Sequence, residues 1–216
     1  MSELLTIVLA TSNPGKIREF NALLADLPIQ FLSARDALGE APSIVEDGAT
    51  FEANALIKAR AVCRATRTLA LADDSGLEVD ALGGRPGVRS ARFAHERATD
   101  AENNAALLRE LEDVEEGARR ARFRCVLALA NPWRASEEFV AEGSCEGSIA
   151  RAPRGNGGFG YDPLFLVSDA EGRAMAELSE DEKNRISHRG LAVRSLRKIL
   201  IRVLNERLDE AERIAG

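Results

Sequence analysis

Residues 122–145, RFRCVLALANPWRASEEFVAEGSC, hold two extended runs, Arg122 to Ala130 and Glu137 to Cys145, on either side of Asn131-Pro132. Strand-forming residues flanking a turn signal of this kind predict an antiparallel hairpin. The chain before it reads differently. Leu4 to Ala10 is an apolar run with β-branched members, a buried strand, and Thr11 to Pro14 turns the chain. A helix from about Gly15 to Asp26 follows, with Ile17, Phe20, Leu23 and Leu24 on its apolar stripe. A sheet that takes both crossover helices and a hairpin is a mixed sheet, so the fold class is α/β.

Working outward from there, Ile29 to Leu32 is a short strand and residues 33 to 48 read as irregular, punctuated by Gly39, Pro42 and Gly48. A helix over about Thr50 to Thr66 repeats apolar groups at Phe51, Ala55, Ala59, Val62 and Cys63. Leu69 to Ala72 is a buried strand running into Asp73-Asp74-Ser75-Gly76, with a further strand near Leu77 to Ala81 and a loop at Gly83 to Gly87. Thr99 with Glu102, and Ser179 with Glu182, stand at capping-box spacing and each opens a helix. Residues 153 to 163 are Gly- and Pro-rich loop, Leu164 to Val167 a strand, and the last helix runs from about Ser187 past Leu208. No internal repeat or linker interrupts residues 1–216, which read as one domain.

Composition removes several function classes. The 216 residues carry 29 basic against 35 acidic side chains, a net charge of -6, which argues against a protein living on nucleic-acid backbone. No run reaches the roughly 18 apolar residues of a membrane span, and the N-terminus lacks the pattern of a signal peptide. Cys63, Cys125 and Cys145 are an odd, widely spaced set in apolar patterns, so they read as reduced core thiols in a cytoplasmic protein. With only His95 and His188 and no CxxC, zinc is a poor fit. Abundant carboxylates point any metal toward a hard cation such as magnesium.

Four segments carry candidate chemistry. Thr11-Ser12-Asn13-Pro14-Gly15-Lys16 joins a strand to a helix, and a helix N-terminus with a lysine suits phosphate, although a plain turn would look the same. Asp73 and Asp74 close a buried run, where carboxylates need a cation or donors; a solvated Asp-Ser-Gly turn is the alternative. Neighbours on a strand face opposite ways, so one Asp should face the cleft while the other braces the turn. In Gly155-Asn-Gly-Gly-Phe-Gly-Tyr-Asp-Pro163, Phe159 and Tyr161 offer faces to a base and Asp162 an acceptor, or else Phe159 plugs the core. Lys183, His188 and Arg189 concentrate donors where the last helix begins, against a solvated basic turn as the alternative. Glu46-Asp47 before the second long helix is a lesser candidate, for a metal or for a cap.

Together LATSNPGKIREF, EDGATFEANALIKA, LADDSGLEVDALGGRPGVRSAR, NGGFGYDP and EKNRISHRG, in order from Leu9 to Gly190, resemble the inosine/xanthosine triphosphate pyrophosphatase family. The resemblance implies an elongated curved mixed sheet flanked by helices, two lobes with the active site between them, and a homodimer. It implies magnesium-dependent cleavage of non-standard purine triphosphates to monophosphate and pyrophosphate, with water attacking the α-phosphorus. Thr11, Ser12, Asn13, Pro14, Gly15 and Lys16 match the triphosphate turn, Asp74 the general base and metal ligand, Glu46 a further metal ligand and Ser75 a substrate contact. Phe159, Gly160, Tyr161 and Asp162 match the segment holding base and ribose, and Lys183, His188 and Arg189 the base-reading donors. One departure is visible: many relatives carry an aromatic residue where Arg89 stands.

A metal-bound carboxylate is a poor base, so Asp74 acts through a bound water or a neighbour, Asp73 or Glu46, takes the proton; the residues alone leave both routes open. Two rival functions fit parts of the pattern: a related pyrophosphatase for methylated or pyrimidine triphosphates, and a nucleotide- or RNA-binding module without turnover. The Asp73-Asp74 pair speaks against the second, because bare carboxylates repel phosphate.

Overall fold

The structure, a computed structural model, describes residues 4–40, 42–134 and 137–215; the reading of the extreme N-terminus and part of the hairpin turn fall outside them. In chain order the strands are β1 (Leu5–Leu9), β2 (Ile29–Ser33), β3 (Leu69–Val79), β4 (Arg120–Ala130), β5 (Glu138–Ile149) and β6 (Phe165–Val167). The α-helices are α1 (Pro14–Leu23), α2 (Ala34–Leu38), α3 (Phe51–Thr66), α4 (Asp100–Glu110), α5 (Glu180–Ile186) and α6 (His188–Ala215). The strands form one open sheet in the order β2-β1-β3-β4-β5-β6. β1 runs parallel to β2 and β3, while β3, β4, β5 and β6 pair antiparallel, so the sheet is mixed as expected.

Helix starts are written locally. Thr50 Oγ1 accepts from Ala53 N–H at 3.1 Å, and both expected capping boxes are present at Thr99/Glu102 and Ser179/Glu182. One short helix was hidden in the stretch read as irregular: Ser33 caps α2 by accepting from Asp36 N–H at 3.0 Å, and Gly39 at φ 81° ends it.

The larger correction concerns β3. The expected strand, turn and second strand are a single strand of 11 residues, and Asp73 to Gly76 pair in register with Leu127 to Arg124 of β4. Asp and Gly are weak strand formers, but partners across the sheet decide the outcome here. On its other side β3 is paired with β1 only through Leu71, so Ala72 to Gly76 form a sheet edge left to loops and helix ends.

Three buried clusters fill the molecule. One packs α1 and α6 against β1, β3 and β4, through Phe20, Leu71, Leu127 and Leu196. The second, through Ala55, Ala59, Ala72 and Ala128, seats α3 on the opposite face. The third lies at the far end of the sheet and joins Leu77, Leu107, Phe123, Phe165 and Met175. No described helix is long and apolar enough to cross a membrane. Cys63, Cys125 and Cys145 are free and buried, as read from the sequence.

Candidate active site

Two consecutive residues of β3 point to opposite faces and build two different environments. Asp73 is buried on the α6 face. Its Oδ2 accepts from Arg189 Nε at 2.8 Å and from Cys125 Sγ at 3.2 Å, and its Oδ1 accepts from Lys16 Nζ and, at 2.5 Å, from Ser75 Oγ. Burial alone would raise its pKa, but Arg189 and Lys16 overcome it and hold the carboxyl well below the ordinary range.

From Asp73 an alternating chain of charge runs along the wall. Arg189 donates through Nη2 to Ser75 Oγ at 3.0 Å and through Nη1 to Glu19. Lys183 Nζ lies 2.8 Å from Glu19 Oε1 and 2.8 Å from Asp162 Oδ2, which also accepts from Phe159 N–H at 3.0 Å. Lys16, Arg189 and Lys183 thus alternate with Asp73, Glu19 and Asp162. Glu19 escaped the sequence reading. Its signal was its place three residues after Lys16, which puts both on one face of α1.

At the start of α1 the side chains serve the backbone. Asn13 Oδ1 accepts from the N–H groups of Gly15 at 2.8 Å and Lys16 at 3.4 Å, and Thr11 Oγ1 accepts from Asn13 N–H at 3.1 Å. Pro14 takes the first helical position, and Ser12 and Pro14 are exposed. Gly15 is buried because Phe159 packs on it: a Cβ there would lie 2.8 Å from Phe159 Cδ1. Phe159 also lies beneath two cations, with Lys183 Nζ 4.8 Å and Arg189 Cζ 5.7 Å from its ring centroid.

These groups surround a cavity of about 140 Å³ whose wall includes Asn13, Lys16, Ser75, Phe159, Gly160, Tyr161, Asp162, Lys183, His188 and Arg189. His188 is buried and stacks on Phe123, with ring centroids 4.7 Å apart and planes at 17°. Burial first, and then Arg189 beside it, lower its pKa well below the ordinary imidazole value, so the ring is neutral at pH 7. Its Nδ1 has no partner among the described residues.

On the other face, Asp74 Oδ1 lies 2.6 Å from Lys58 Nζ of α3, which also lies 2.9 Å from Glu46 Oε2. Burial pushes the Asp74 carboxyl up, Lys58 opposes that, and Glu46 adds to the rise. Asn54 Oδ1 accepts from Gly48 N–H at 2.8 Å and so fastens the loop that carries Glu46. Lys58 was missed by the sequence reading, although a lysine in the buried stripe of α3 beside Ala55, Ala59 and Val62 was the available signal. Glu46 and Asp74 thus converge as a pair of hard oxygen donors. No group of three or more His, Cys, Asp or Glu that could hold a metal occurs among the described residues. The pair fits magnesium, which takes one or two protein carboxylates and completes its shell with phosphate and water. Arg89, the point of departure, is exposed and lies 2.7 Å from Glu96.

An open mixed sheet with a charged cavity beside the carboxyl end of its parallel strand β1 defines a class: an α/β protein with a candidate ligand cavity at a strand end. A family model, that of the Ham1 family, matches residues 7–199, and the chain belongs to that family. It is 53% identical over 190 residues to a protein of Geobacillus kaustophilus named dITP/XTP pyrophosphatase, covering 88% of this chain and 91% of that one. A Thermus thermophilus protein of the same name is likewise 53% identical over 190 residues, covering 88% and 89% of the two chains. Among solved structures, a Ham1 protein from Coxiella burnetii superposes with a TM-score of 0.82 at 45% identity, over 92% of this chain and all of the other.

Proposed function

We propose that this protein hydrolyses the triphosphates of deaminated purines, inosine, deoxyinosine and xanthosine, to the monophosphate and pyrophosphate, with magnesium. The observation that carries the reading is the single cavity that joins Lys16 at the α1 turn to Phe159, Lys183, His188 and Arg189. The names of relatives at about half identity support it. In this reading Thr11 to Lys16 take the phosphates, Phe159 to Asp162 the base and ribose, and Asp74 is the general base. When bound at Glu46 and Asp74, magnesium supplies neutralisation of the phosphate oxygens.

The environments of the two aspartates favour different roles for them. Asp73 is tied to Arg189 and Lys16 in its ionised form and has little tendency to take a proton. Asp74 stands beside Glu46 on the other face, and with magnesium held there it would act on the attacking water through the metal's shell rather than as a free base. Lys58 holds that carboxylate in place against Glu46.

Base choice follows from the spare donors. Arg189 and Lys183 each have more N–H groups than the carboxylate and hydroxyl partners described above use. A C6 carbonyl on hypoxanthine or xanthine accepts from them, whereas the C6 amino group of adenine leaves them unpaired, a mismatch that rejects a substrate strongly. The same reading includes a homodimer in the cytoplasm, and three free buried thiols suit a reducing compartment.

The test is product analysis with inosine triphosphate and a panel of other nucleotides, with and without magnesium. Monophosphate plus pyrophosphate, only with the metal, is the expected result. Diphosphate plus phosphate, or better turnover of a pyrimidine or methylated triphosphate, overturns it.

A further inference from the structure

Gly160 sits in the candidate cavity wall with φ +61°, and both of its backbone polar groups are held by side chains of one helix. Asp100 Oδ2 accepts from Gly160 N–H at 2.7 Å, and Asn104 Nδ2 donates to Gly160 O at 2.9 Å. Asp100 and Asn104 are four apart on α4, and such a pair lies one above the other on the helix surface. A second tie runs next to it, where Tyr161 Oη donates to Ser90 O at 2.8 Å. The segment that carries Phe159 is thus fastened to α4 and to the turn before it, on the side away from α1.

Asn104 adds an independent observation. Its Oδ1 is buried and has no partner among the described residues. A buried acceptor left unpaired is unfavourable, so an amide at this position is accounted for by its other half, the donor that holds Gly160. An exposed carboxylate and an amide with an unpartnered buried oxygen meeting on one glycine form a clamp rather than a chance surface contact.

We infer that Asp100 and Asn104 are positioning residues, which hold Gly160 so that the Phe159 ring stays seated between Gly15 and the Lys183 and Arg189 cations, at the distance a purine needs to stack. Neither is bonded to Asp74, Glu46 or the α1 turn; Asp100 also lines the cavity while Asn104 does not, so Asn104→Asp is the cleaner probe of the clamp. The clamp therefore acts on nucleotide binding and leaves the chemical step alone. This rests on the reading of Phe159 as the base-holding ring.

The test uses Asp100→Ala, Asp100→Asn, Asn104→Asp and the double variant Asp100→Ala/Asn104→Asp in the full chain. Asn at position 100 keeps an acceptor for Gly160 N–H, whereas Asp at position 104 keeps the shape but replaces the donor with an acceptor facing Gly160 O. KM for inosine triphosphate is expected to rise about tenfold in Asp100→Ala and in Asn104→Asp, with kcat within twofold of wild type and Asp100→Asn close to wild type. The double variant is expected to fall short of the product of the single effects, because both act through one glycine. Calorimetric binding of inosine monophosphate gives the same answer without turnover, so it stands even if the wild-type protein releases no pyrophosphate, a result that would sink the proposed reaction and not the clamp. Unchanged KM and unchanged monophosphate affinity in the two disrupting variants overturn the inference. So does a fall in kcat at constant KM, or an Asp100→Asn variant as impaired as Asp100→Ala.

Discussion

Asp73 and Asp74 share a peptide bond but answer to different cations: Arg189 Nε lies 2.8 Å from Asp73 Oδ2, and Lys58 Nζ lies 2.6 Å from Asp74 Oδ1. Strand alternation produces the split, and in the proposed reading it gives the pair two jobs, a fixed brace on one face and a reactive carboxylate on the other.

Replacing each aspartate separates those jobs. Asp74→Asn is expected to lose about 10²- to 10⁴-fold in kcat, the usual worth of a positioned base. Near-wild-type turnover in that variant would remove Asp74 from the chemistry. Asp73→Asn leaves Arg189 with Glu19 but with a neutral amide in place of its other carboxylate, so the cost is expected to be part of the roughly 3–5 kcal/mol of a fully broken buried pair. Urea unfolding measures this, and a loss below 1 kcal/mol would show that the pair does not brace the site.

Arg189→Ala removes donors from the base end of the cavity. The ratio of kcat/KM for inosine over adenosine triphosphate is expected to narrow. A ratio on one preparation is independent of the folded fraction, so lost stability does not obscure it. An unchanged ratio counts against this pocket as the source of selectivity.

Gly15→Ala tests the seat of Phe159. In the first turn of a helix, alanine in place of glycine would ordinarily help by up to about 1 kcal/mol. Here the new Cβ meets Phe159 Cδ1 at 2.8 Å, and overpacking of this kind costs about 1–3 kcal/mol. The variant is expected to be less stable and to raise KM with kcat little changed. A stabilised protein with unaltered KM would refute the contact.

The sequence foretold more of the frame than of the site. The two capping boxes and the hairpin were legible because each signal is local: Ser or Thr three residues before Glu, and alternation on either side of a turn. Asp73 to Gly76 were not, because their composition mimics a turn and only pairing with β4 and distant cations reveals a strand. The same holds for Glu19 and Lys58. Their local signals, spacing from Lys16 and a place in an apolar stripe, are faint, and their partners lie 170 residues away at Arg189 for Glu19, and 12 and 16 away at Glu46 and Asp74 for Lys58. Of the sixteen residues that the resemblance suggested, the cavity wall gathers Asn13, Lys16, Ser75, Phe159 to Asp162, Lys183, His188 and Arg189; Thr11, Ser12, Pro14 and Gly15 do not line it, and Glu46 and Asp74 meet on the other face of β3.

Acid stability offers a check away from the site. Glu182 closes the capping box of α5 and bonds Arg173 at 2.9 Å, and this Arg173 contact, followed by those with Ser179, lowers its pKa from 4.5 to about 2. With the folded value below the unfolded one, its contribution is complete above about pH 4.5 and fades as pH falls toward 2. The stability difference between wild type and Glu182→Gln is expected to be constant at neutral pH and to vanish near pH 2. A difference that persists there would place the effect in the helix start alone.

The alternating wall of Lys16, Asp73, Arg189, Glu19, Lys183 and Asp162 sums to no net charge. Such a set of paired charges lacks the excess positive charge with which a bare basic cleft gathers polyanions from a distance. Abundant ordinary nucleotides gain no encounter advantage from it. Capture then depends on short-range fit in the cavity, because the wall adds no long-range pull and the net charge of -6 opposes an approaching polyanion.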